Sequence, residues 1–143
     1  MNDTPLDMEP LRRLNIELER PPFNAWLGVR AVKADAQTQE IQIVLPFRPE
    51  FSHHPTAHVF HGGIVSALID IAGHAAVAVW HGAPAPTVSL HIEYLAPAQG
   101  PELSARGILR RLGRSLAFSD VEVTASDKKV ALGRGIFHCK RSK

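Results

Sequence analysis

Apolar residues recur with helical spacing in two stretches of the chain. In residues 9–20, leucines lie three or four positions apart, and two prolines follow them directly. Residues 61–80 are almost entirely apolar, and a glycine and two prolines follow, ending at Pro86. Glycine and proline end helices, so the pattern predicts a short N-terminal helix and one long helix that is covered nearly all round.

Six further stretches have the composition and alternation of β-strands, two before the long helix and four after it. They are residues 26–34, 40–46, 87–95, 102–112, 115–125 and 129–139. The spacers between them are short, which favours antiparallel hairpins over parallel crossovers. The order predicts an α+β fold in which a six-stranded antiparallel sheet curls around the long helix. Residues 47–60, with prolines, histidines and no period, are expected to form a loop.

The length of 143 residues is typical of a single domain. We expect one domain over 1–143, with a helical extension at 1–22 and a core at 23–140. A single cysteine, Cys139, fits a reducing cytoplasm. The N-terminus lacks the apolar segment of a signal peptide. The apolar run 64–80 is shorter than the ~20 residues that span a bilayer, so it is interpreted as a buried helix.

The chain is mildly basic, with a net charge of +2 and a pI near 9.0. Its basic residues are scattered without interleaved aromatics, which argues against a nucleic-acid partner. Three of them cluster at Arg110, Arg111 and Arg114, where either a phosphate contact or a solvated surface fits. The eight histidines have no recognisable ligand spacing, so no metal is predicted.

Asp70 is the only charged residue within the long apolar helix. Ionised carboxylates are rarely buried without partners, because their desolvation costs several kcal/mol after relaxation. A functional carboxylate is therefore one interpretation. The alternatives are a residue on one solvated stripe of the helix, or a residue that pairs with His74 one turn later.

His61, Gly62 and Gly63 stand at the start of the same helix, where free N–H groups can bind an oxyanion or a polarised carbonyl. A plain tight turn is the alternative. Gly62 and Asp70 are eight residues apart, so their backbones are ~12 Å apart along the axis. If both act on one carbonyl, one of them must come from a second subunit. A two-fold dimer with two shared sites is therefore our hypothesis.

Several segments resemble the hot-dog thioesterases of the phenylacetate-degradation and 4-hydroxybenzoyl-CoA groups. They are His61-Gly-Gly-Ile-Val-Ser-Ala-Leu-Ile-Asp70, Ser89-Leu-His-Ile-Glu-Tyr-Leu-Ala-Pro97, Gly113-Arg-Ser-Leu-Ala-Phe118 and Val130-Ala-Leu-Gly-Arg-Gly-Ile-Phe137. From about residue 26 to 137, their order and spacing agree with the family. The resemblance implies a hot-dog fold, hydrolysis of an acyl- or aroyl-CoA thioester without a further cofactor, and a homodimer assembled into a homotetramer.

The resemblance also assigns roles to residues. It implies that the Gly62 N–H binds the thioester carbonyl, and that Asp70 is the nucleophile or the general base. Thr87 falls where relatives keep a Ser or Thr that holds the water or the carboxylate, although an ordinary strand residue also fits. Many relatives have Asn or Gln where this chain has Pro55.

His54 or His58 would take over the role of the missing amide at position 55. The remaining candidates for substrate contact are His61, Gly63, Arg110, Arg111 and Arg114. Phe23, Phe60 and Trp80 are candidate walls of an acyl pocket. Two other functions remain open: a hot-dog dehydratase or hydratase, which pairs a loop histidine with the helix acid, and a non-catalytic acyl-CoA-binding protein.

Overall fold

The computed structural model describes residues 4–140, which form a six-stranded sheet and three α-helices. In chain order the elements are α1 (Pro10–Glu19), α2 (Pro22–Leu27), β1 (Arg30–Asp35), β2 (Glu40–Pro46), α3 (Gly62–His81), β3 (Thr87–Tyr94), β4 (Glu102–Leu112), β5 (Leu116–Ala125) and β6 (Lys128–His138). A single 3-10 turn, Pro49–Phe51, lies in the loop before α3. The predicted α+β fold is confirmed.

All neighbouring strands of the sheet are antiparallel, in the order β1-β2-β4-β5-β6-β3. Alternate residues face the core, as Ile41, Ile43 and Leu45 do on β2, where each is at most 1% exposed. The order leaves β1 and β3 as the two edges. The edge strand β3 pairs with β6 alone among the described strands.

The helix α3 packs closely against the concave face of the sheet because small residues meet it there. A Cβ at Gly107 of β4 would lie 2.7 Å from the carbonyl oxygen of Ala72 in α3. His61 caps the start of α3, and Gly82 ends it with φ of 82°, a left-handed conformation that favours glycine. By length and composition α3 could cross a membrane, yet most of it is buried in this fold, as in the core helix of a soluble protein.

One predicted strand begins later than its pattern indicated. The prediction of a strand over 26–34 is wrong at its start, because Trp26 and Leu27 belong to the short helix α2 and the strand begins at Arg30. Pro22 at the first helical turn favours α2, and Gly28 ends it with φ of 82°. The Trp26 ring lies under the guanidinium of Arg48, 4.9 Å from its centroid. The Trp26 side chain therefore packs against Arg48 instead of forming part of the sheet.

The sheet does not surround α3 completely. Along one side of the helix, Gly63, Ser66, Ala67, Asp70 and His74 keep part of their surface exposed. These residues follow the three- and four-residue spacing of one helix face. We call them the open stripe of α3. The expectation that the helix is covered nearly all round is therefore wrong for this stripe.

Candidate active site

Asp70 lies on the open stripe and is only partly buried. The hydroxyl of Thr87, the first residue of β3, donates a hydrogen bond to Asp70 Oδ1 over 2.7 Å. Of the alternatives for Asp70, the geometry favours the solvated stripe over a pair with His74. A carboxylate that is held by one hydroxyl and open to solvent has lone pairs available for water.

His74 lies one turn beyond Asp70 and faces a different partner. Its Nε2 accepts a hydrogen bond from the backbone N–H of Ala85, 3.2 Å away. Burial lowers the pKa of His74 below its ordinary value, and the negative charges of Glu17 and Asp70 oppose that shift only in part. At neutral pH the imidazole is therefore uncharged, with Nε2 as the acceptor.

The start of α3 presents an available backbone donor. His61 Nδ1 accepts the N–H of Gly63 over 2.8 Å, so His61 acts as the helix cap. Within residues 4–140, the N–H of Gly62 has no hydrogen-bond acceptor. This group stands at the positive end of the helix dipole. It is placed to stabilise negative charge on an oxygen atom.

The carbonyl of Gly62 is held by two side chains. Ser66 Oγ, one turn along α3, donates to it over 2.9 Å, and the hydroxyl of Tyr94 donates over 3.0 Å. The two hydroxyls also contact each other. Tyr94 is the last residue of β3, so these bonds fix the start of α3 to the end of the edge strand.

An apolar cavity of about 230 Å³ adjoins Gly62. Its walls are mainly hydrophobic and come from the loop before α3, from α3 itself, from the end of β3 and the loop after it, and from β6; they include Phe60, Val65, Tyr94, Pro97 and Val130. Of the three candidate pocket walls, only Phe60 lines this cavity. Phe23 stacks on Trp26 at the surface, and Trp80 packs against Arg13 of α1.

The loop histidines are arranged differently from the expectation. Neither His54 nor His58 is among the residues that line the cavity, whereas His53 is. His54 Nδ1 accepts the N–H groups of Thr56 and Ala57 and so stabilises the turn around Pro55. His58 stacks on Phe47 with ring centroids 4.6 Å apart. Both rings therefore have partners within the loop.

The three arginines of the predicted cluster have different surroundings in the structure: Arg110 is ion-paired, whereas Arg111 and Arg114 are exposed. Arg110 donates to Asp120 over 2.8 Å, and Arg134 donates to the same carboxylate over 2.7 Å. Hydrogen bonds from Arg134 and Arg110 lower the pKa of Asp120, against the opposing effect of burial. This network lies in a groove of about 670 Å³ on the sheet face turned away from α3. Arg110 is thus engaged in a surface ion pair.

Arg111 and Arg114 are exposed at the end of the sheet where Thr87 lies. The strand register shows this, because Thr87 pairs with Phe137, Phe137 with Ala117, and Ala117 with Leu112. Both arginines are near this row, three strands away from β3. They share an end of the molecule with Asp70 without contacting it.

Taken together, the contacts fix the direction of α3 relative to β3. The start of the helix, Gly62, is bonded to Tyr94 at the end of β3, and Asp70 is bonded to Thr87 at its beginning. The helix and the edge strand are therefore antiparallel neighbours. In one subunit the free N–H and the carboxylate are ~12 Å apart along the helix. The two groups accordingly do not meet within a single chain.

Sequence reasoning missed three participants in this region. Ser66 stands four residues after Gly62, a spacing at which a serine hydroxyl commonly bonds to a helix carbonyl, so the sequence contained a signal for it. The hydroxyl of Tyr94 and the ring of His53 reach the site from distant elements. No spacing in the sequence indicates those two contacts.

Comparisons with known proteins show the family of this chain. The model of the thioesterase superfamily matches residues 57–132. Human acyl-coenzyme A thioesterase 13 is 30% identical over 101 residues, which cover 68% of this chain and 72% of the relative. A crystal structure of a thioesterase-superfamily protein is 34% identical, with a TM-score of 0.83, and the match covers 90% of this chain and 97% of that one.

A second solved structure is a mutant of the phenylacetic acid degradation protein PaaI from Thermus thermophilus. It is 28% identical, with a TM-score of 0.72, and the match covers 82% of this chain and 98% of that protein. The region that matches the superfamily model, residues 57–132, contains α3, Asp70, Thr87 and the edge strand. The chain belongs to the thioesterase superfamily, in its PaaI-like hot-dog group, and is a thioester hydrolase.

Proposed function

We propose that the protein hydrolyses acyl- or aroyl-coenzyme A thioesters in sites shared between two subunits. The observation that carries this proposal is the antiparallel arrangement of α3 and the edge strand β3, with Gly62 at one end and Asp70 at the other. The name of the human relative, an acyl-coenzyme A thioesterase, supports coenzyme A as the leaving group.

A second copy of the chain would bring the two groups together. If β3 pairs antiparallel with β3 of a second copy across a two-fold axis, the Tyr94 end of one strand lies beside the Thr87 end of the other. Gly62 of each chain then approaches Asp70 of its neighbour. The same pairing covers the open edge of β3, and the neighbour's helix is positioned to cover the open stripe of α3.

The chemistry assigns a distinct task to each group. The Gly62 N–H polarises the thioester carbonyl and stabilises the oxyanion that forms on it. Asp70 either removes a proton from the attacking water or attacks the carbonyl carbon itself. The carbon–sulfur bond then breaks and the coenzyme A thiolate leaves. If Asp70 is the nucleophile, the acyl group remains on it as a mixed anhydride, which water hydrolyses to the free acid and the carboxylate. Thr87 orients the Asp70 carboxylate through its hydrogen bond.

The acyl group would enter the apolar cavity beside Gly62. A cavity of about 150 Å³ holds benzene, so the volume of about 230 Å³ accommodates a small ring or a short chain. The phosphates of coenzyme A would lie outside this cavity at the protein surface. Arg111 and Arg114 are the exposed cations at the Asp70 end of the sheet that we propose for contact with them.

Mixing two inactive variants tests the shared site. Gly62→Pro removes the proposed donor while fitting the first turn of a helix, and the preceding residue, His61, already has a ψ of 140° that suits a following proline. Asp70→Asn removes the carboxylate. Each variant alone should lose about 10²–10³-fold in kcat toward its best acyl-CoA substrate.

When the two variants are unfolded and refolded together at equal amounts, half of the dimers contain one of each. Such a dimer has one site with both defects and one site with none. About a quarter of wild-type activity should therefore return. If each site lies within one chain, the mixture stays inactive, which would overturn the shared-site proposal.

Gly62→Ala is the matched control for the proline variant. It keeps the N–H, and its Cβ would meet the Tyr94 ring at an ordinary contact distance of 3.6 Å. Near-normal kcat is expected. The substrate panel should include short, long and aromatic acyl-CoAs, with hydration of crotonyl-CoA measured beside hydrolysis. Near-normal hydrolysis by Asp70→Asn would contradict the catalytic role of that carboxylate.

A further inference from the structure

His74 has no part in the proposed chemistry, yet it contacts the loop that leads to Thr87. It lies on α3 one turn after Asp70, and its Nε2 accepts the backbone N–H of Ala85 over 3.2 Å. Ala85 is fully buried and stands two residues before Thr87. One helix therefore supplies both the carboxylate and an anchor for the segment that carries its hydroxyl partner.

The composition of this loop makes the anchor significant. Residues 84–86 read Pro-Ala-Pro, and proline has no N–H, so Ala85 offers the only backbone donor of the three. Proline also restricts its own φ and the conformation of the residue before it, which stiffens the segment. A displacement of Ala85 is therefore transmitted to Thr87. On its other side the loop is held by the Pro86 carbonyl, which accepts the N–H of His138 over 2.8 Å.

We propose that His74 is a positioning residue, which holds the loop between α3 and β3 so that the Thr87 hydroxyl stays directed at Asp70. The inference rests on the proposed function, because it matters for turnover only if Asp70 is the catalytic carboxylate. The distance of 2.7 Å between Thr87 Oγ1 and Asp70 Oδ1 is the geometry that the anchor maintains.

The anchor requires a neutral imidazole. A protonated His74 would carry hydrogen on both ring nitrogens, and Nε2 would then repel the Ala85 N–H instead of accepting it. The groups that face the ring are Glu17 of α1, Asp70 of α3 and the aromatic ring of Phe137 of β6, whose centroid is 6.4 Å away. The two carboxylates favour the charged form, and burial outweighs them.

Four variants test the inference: His74→Leu, His74→Gln, Thr87→Val, and the double variant of His74→Leu with Thr87→Val. His74→Leu removes the acceptor at similar volume and should lower kcat about 10- to 100-fold with little change in KM. His74→Gln keeps an amide oxygen that can accept from Ala85, so it should recover most of that loss. The double variant should be no slower than Thr87→Val alone, because both changes act through one contact.

The pH profile of kcat separates positioning from a purely structural role. His74→Gln should move the acidic limb of the profile to lower pH, since glutamine does not protonate in this range. A residue that only supports the fold would lower the melting temperature of the variants and leave the limb in place. His138→Gln, which changes an exposed ring on the other side of the loop and keeps its backbone bond, is the control and should behave as wild type.

Two results would overturn the inference. One is a kcat for His74→Leu within twofold of wild type in the folded protein. The other is multiplication of the losses from His74→Leu and Thr87→Val in the double variant. Both results are compared with the turnover of the Asp70→Asn variant. If Asp70→Asn retains turnover, the proposed function fails; if Asp70→Asn is inactive while His74→Leu is not impaired, only the positioning role fails.

Discussion

Among the residues of α3, Asp70 carries the sole acidic side chain, and its surroundings explain how the helix tolerates it. The carboxylate is partly exposed and receives one hydrogen bond, from Thr87. It therefore avoids the full cost of desolvation in a single subunit. The sequence predicts roles for Asp70, Gly62 and Thr87 because each is unusual in its local pattern or matches a family position, and the structure joins Thr87 to Asp70 by a hydrogen bond. Tyr94 and His53 look ordinary in the sequence, so their contacts emerge only after folding.

The stability of the protein should depend on pH through His74. Its pKa in the folded state lies below the ordinary value near 6.5, because most of the side chain is buried even though part of it reaches the open stripe. At a pH between the folded and unfolded pKa values of His74, the unfolded chain binds more protons than the folded chain. The free energy of unfolding therefore rises with pH in this window. The free energy of unfolding should consequently fall as pH decreases from 7 through 6.5, until the folded pKa is passed.

Urea denaturation at a series of pH values from 7.5 to 5 measures this effect. His74→Gln should show a shallower fall in the free energy of unfolding over the same window, because it no longer titrates. His138→Gln, whose ring is exposed, should keep the wild-type slope. Equal slopes for wild type and His74→Gln would show that the burial of His74 has no energetic consequence.

At the scale of elements, the contact between α3 and the sheet depends on small residues. Gly107→Ala would place a methyl group 2.7 Å from the Ala72 carbonyl oxygen and 3.0 Å from the Ala76 Cβ. Helix backbone does not move easily, so we expect a loss of about 1–3 kcal/mol in the free energy of unfolding. Chemical denaturation measures the change, with Arg106→Ala on the exposed face of the same strand as the control.

Arg106 takes part in surface ion pairs with Glu40 and Glu122, and its removal should cost at most about 1 kcal/mol. If Gly107→Ala costs no more than Arg106→Ala, the helix is not in close contact with β4. The comparison separates close packing from the general effect of changing a residue on that strand.

The elements differ in how well the sequence could predict them. Alternation placed β2 correctly, and the apolar run placed α3 to within one residue at each end. The short helix α2 was missed because Trp26 and Leu27 look like strand residues, whereas the Trp26 ring packs against Phe51 and Arg48 from other parts of the chain. Local propensity is weak in a six-residue helix, so packing decides its conformation.

For the whole molecule, the pairing order of the strands was the feature least accessible to sequence. The pattern gives six strands but does not say that β3 crosses over to pair with β6 and become an edge. The proposed function depends on that placement, since it puts Gly62 and Asp70 beside an edge strand. The proposal of a second subunit follows from the ~12 Å between the two residues, which the sequence alone gives. The surface that this subunit would use does not follow from the sequence.

A charged side chain on the free edge of β3 should separate the subunits and lower the hydrolytic activity. Val88 of β3 is 58% exposed and falls where the pairing with β6 shifts register, so a lysine there does not disturb the core. Charged residues on an edge strand oppose strand-to-strand pairing. Val88→Lys should therefore reduce the mass observed by sedimentation to half that of wild type or less and lower specific activity at least about tenfold. Activity should rise again with protein concentration.

The opposite edge of the sheet provides a matched control. Val32 of β1 is 47% exposed and also falls at a register shift. The hydrogen bonds that join Gly62 and Asp70 to an edge strand are made by β3 and not by β1. Val32→Lys should leave both mass and activity unchanged. If Val88→Lys keeps the wild-type mass, β3 is not the shared edge. If the subunits separate and full activity remains at every concentration, the subunits assemble through β3 but each contains a complete site. The proposed role of Gly62 in the site of the neighbouring subunit is then wrong.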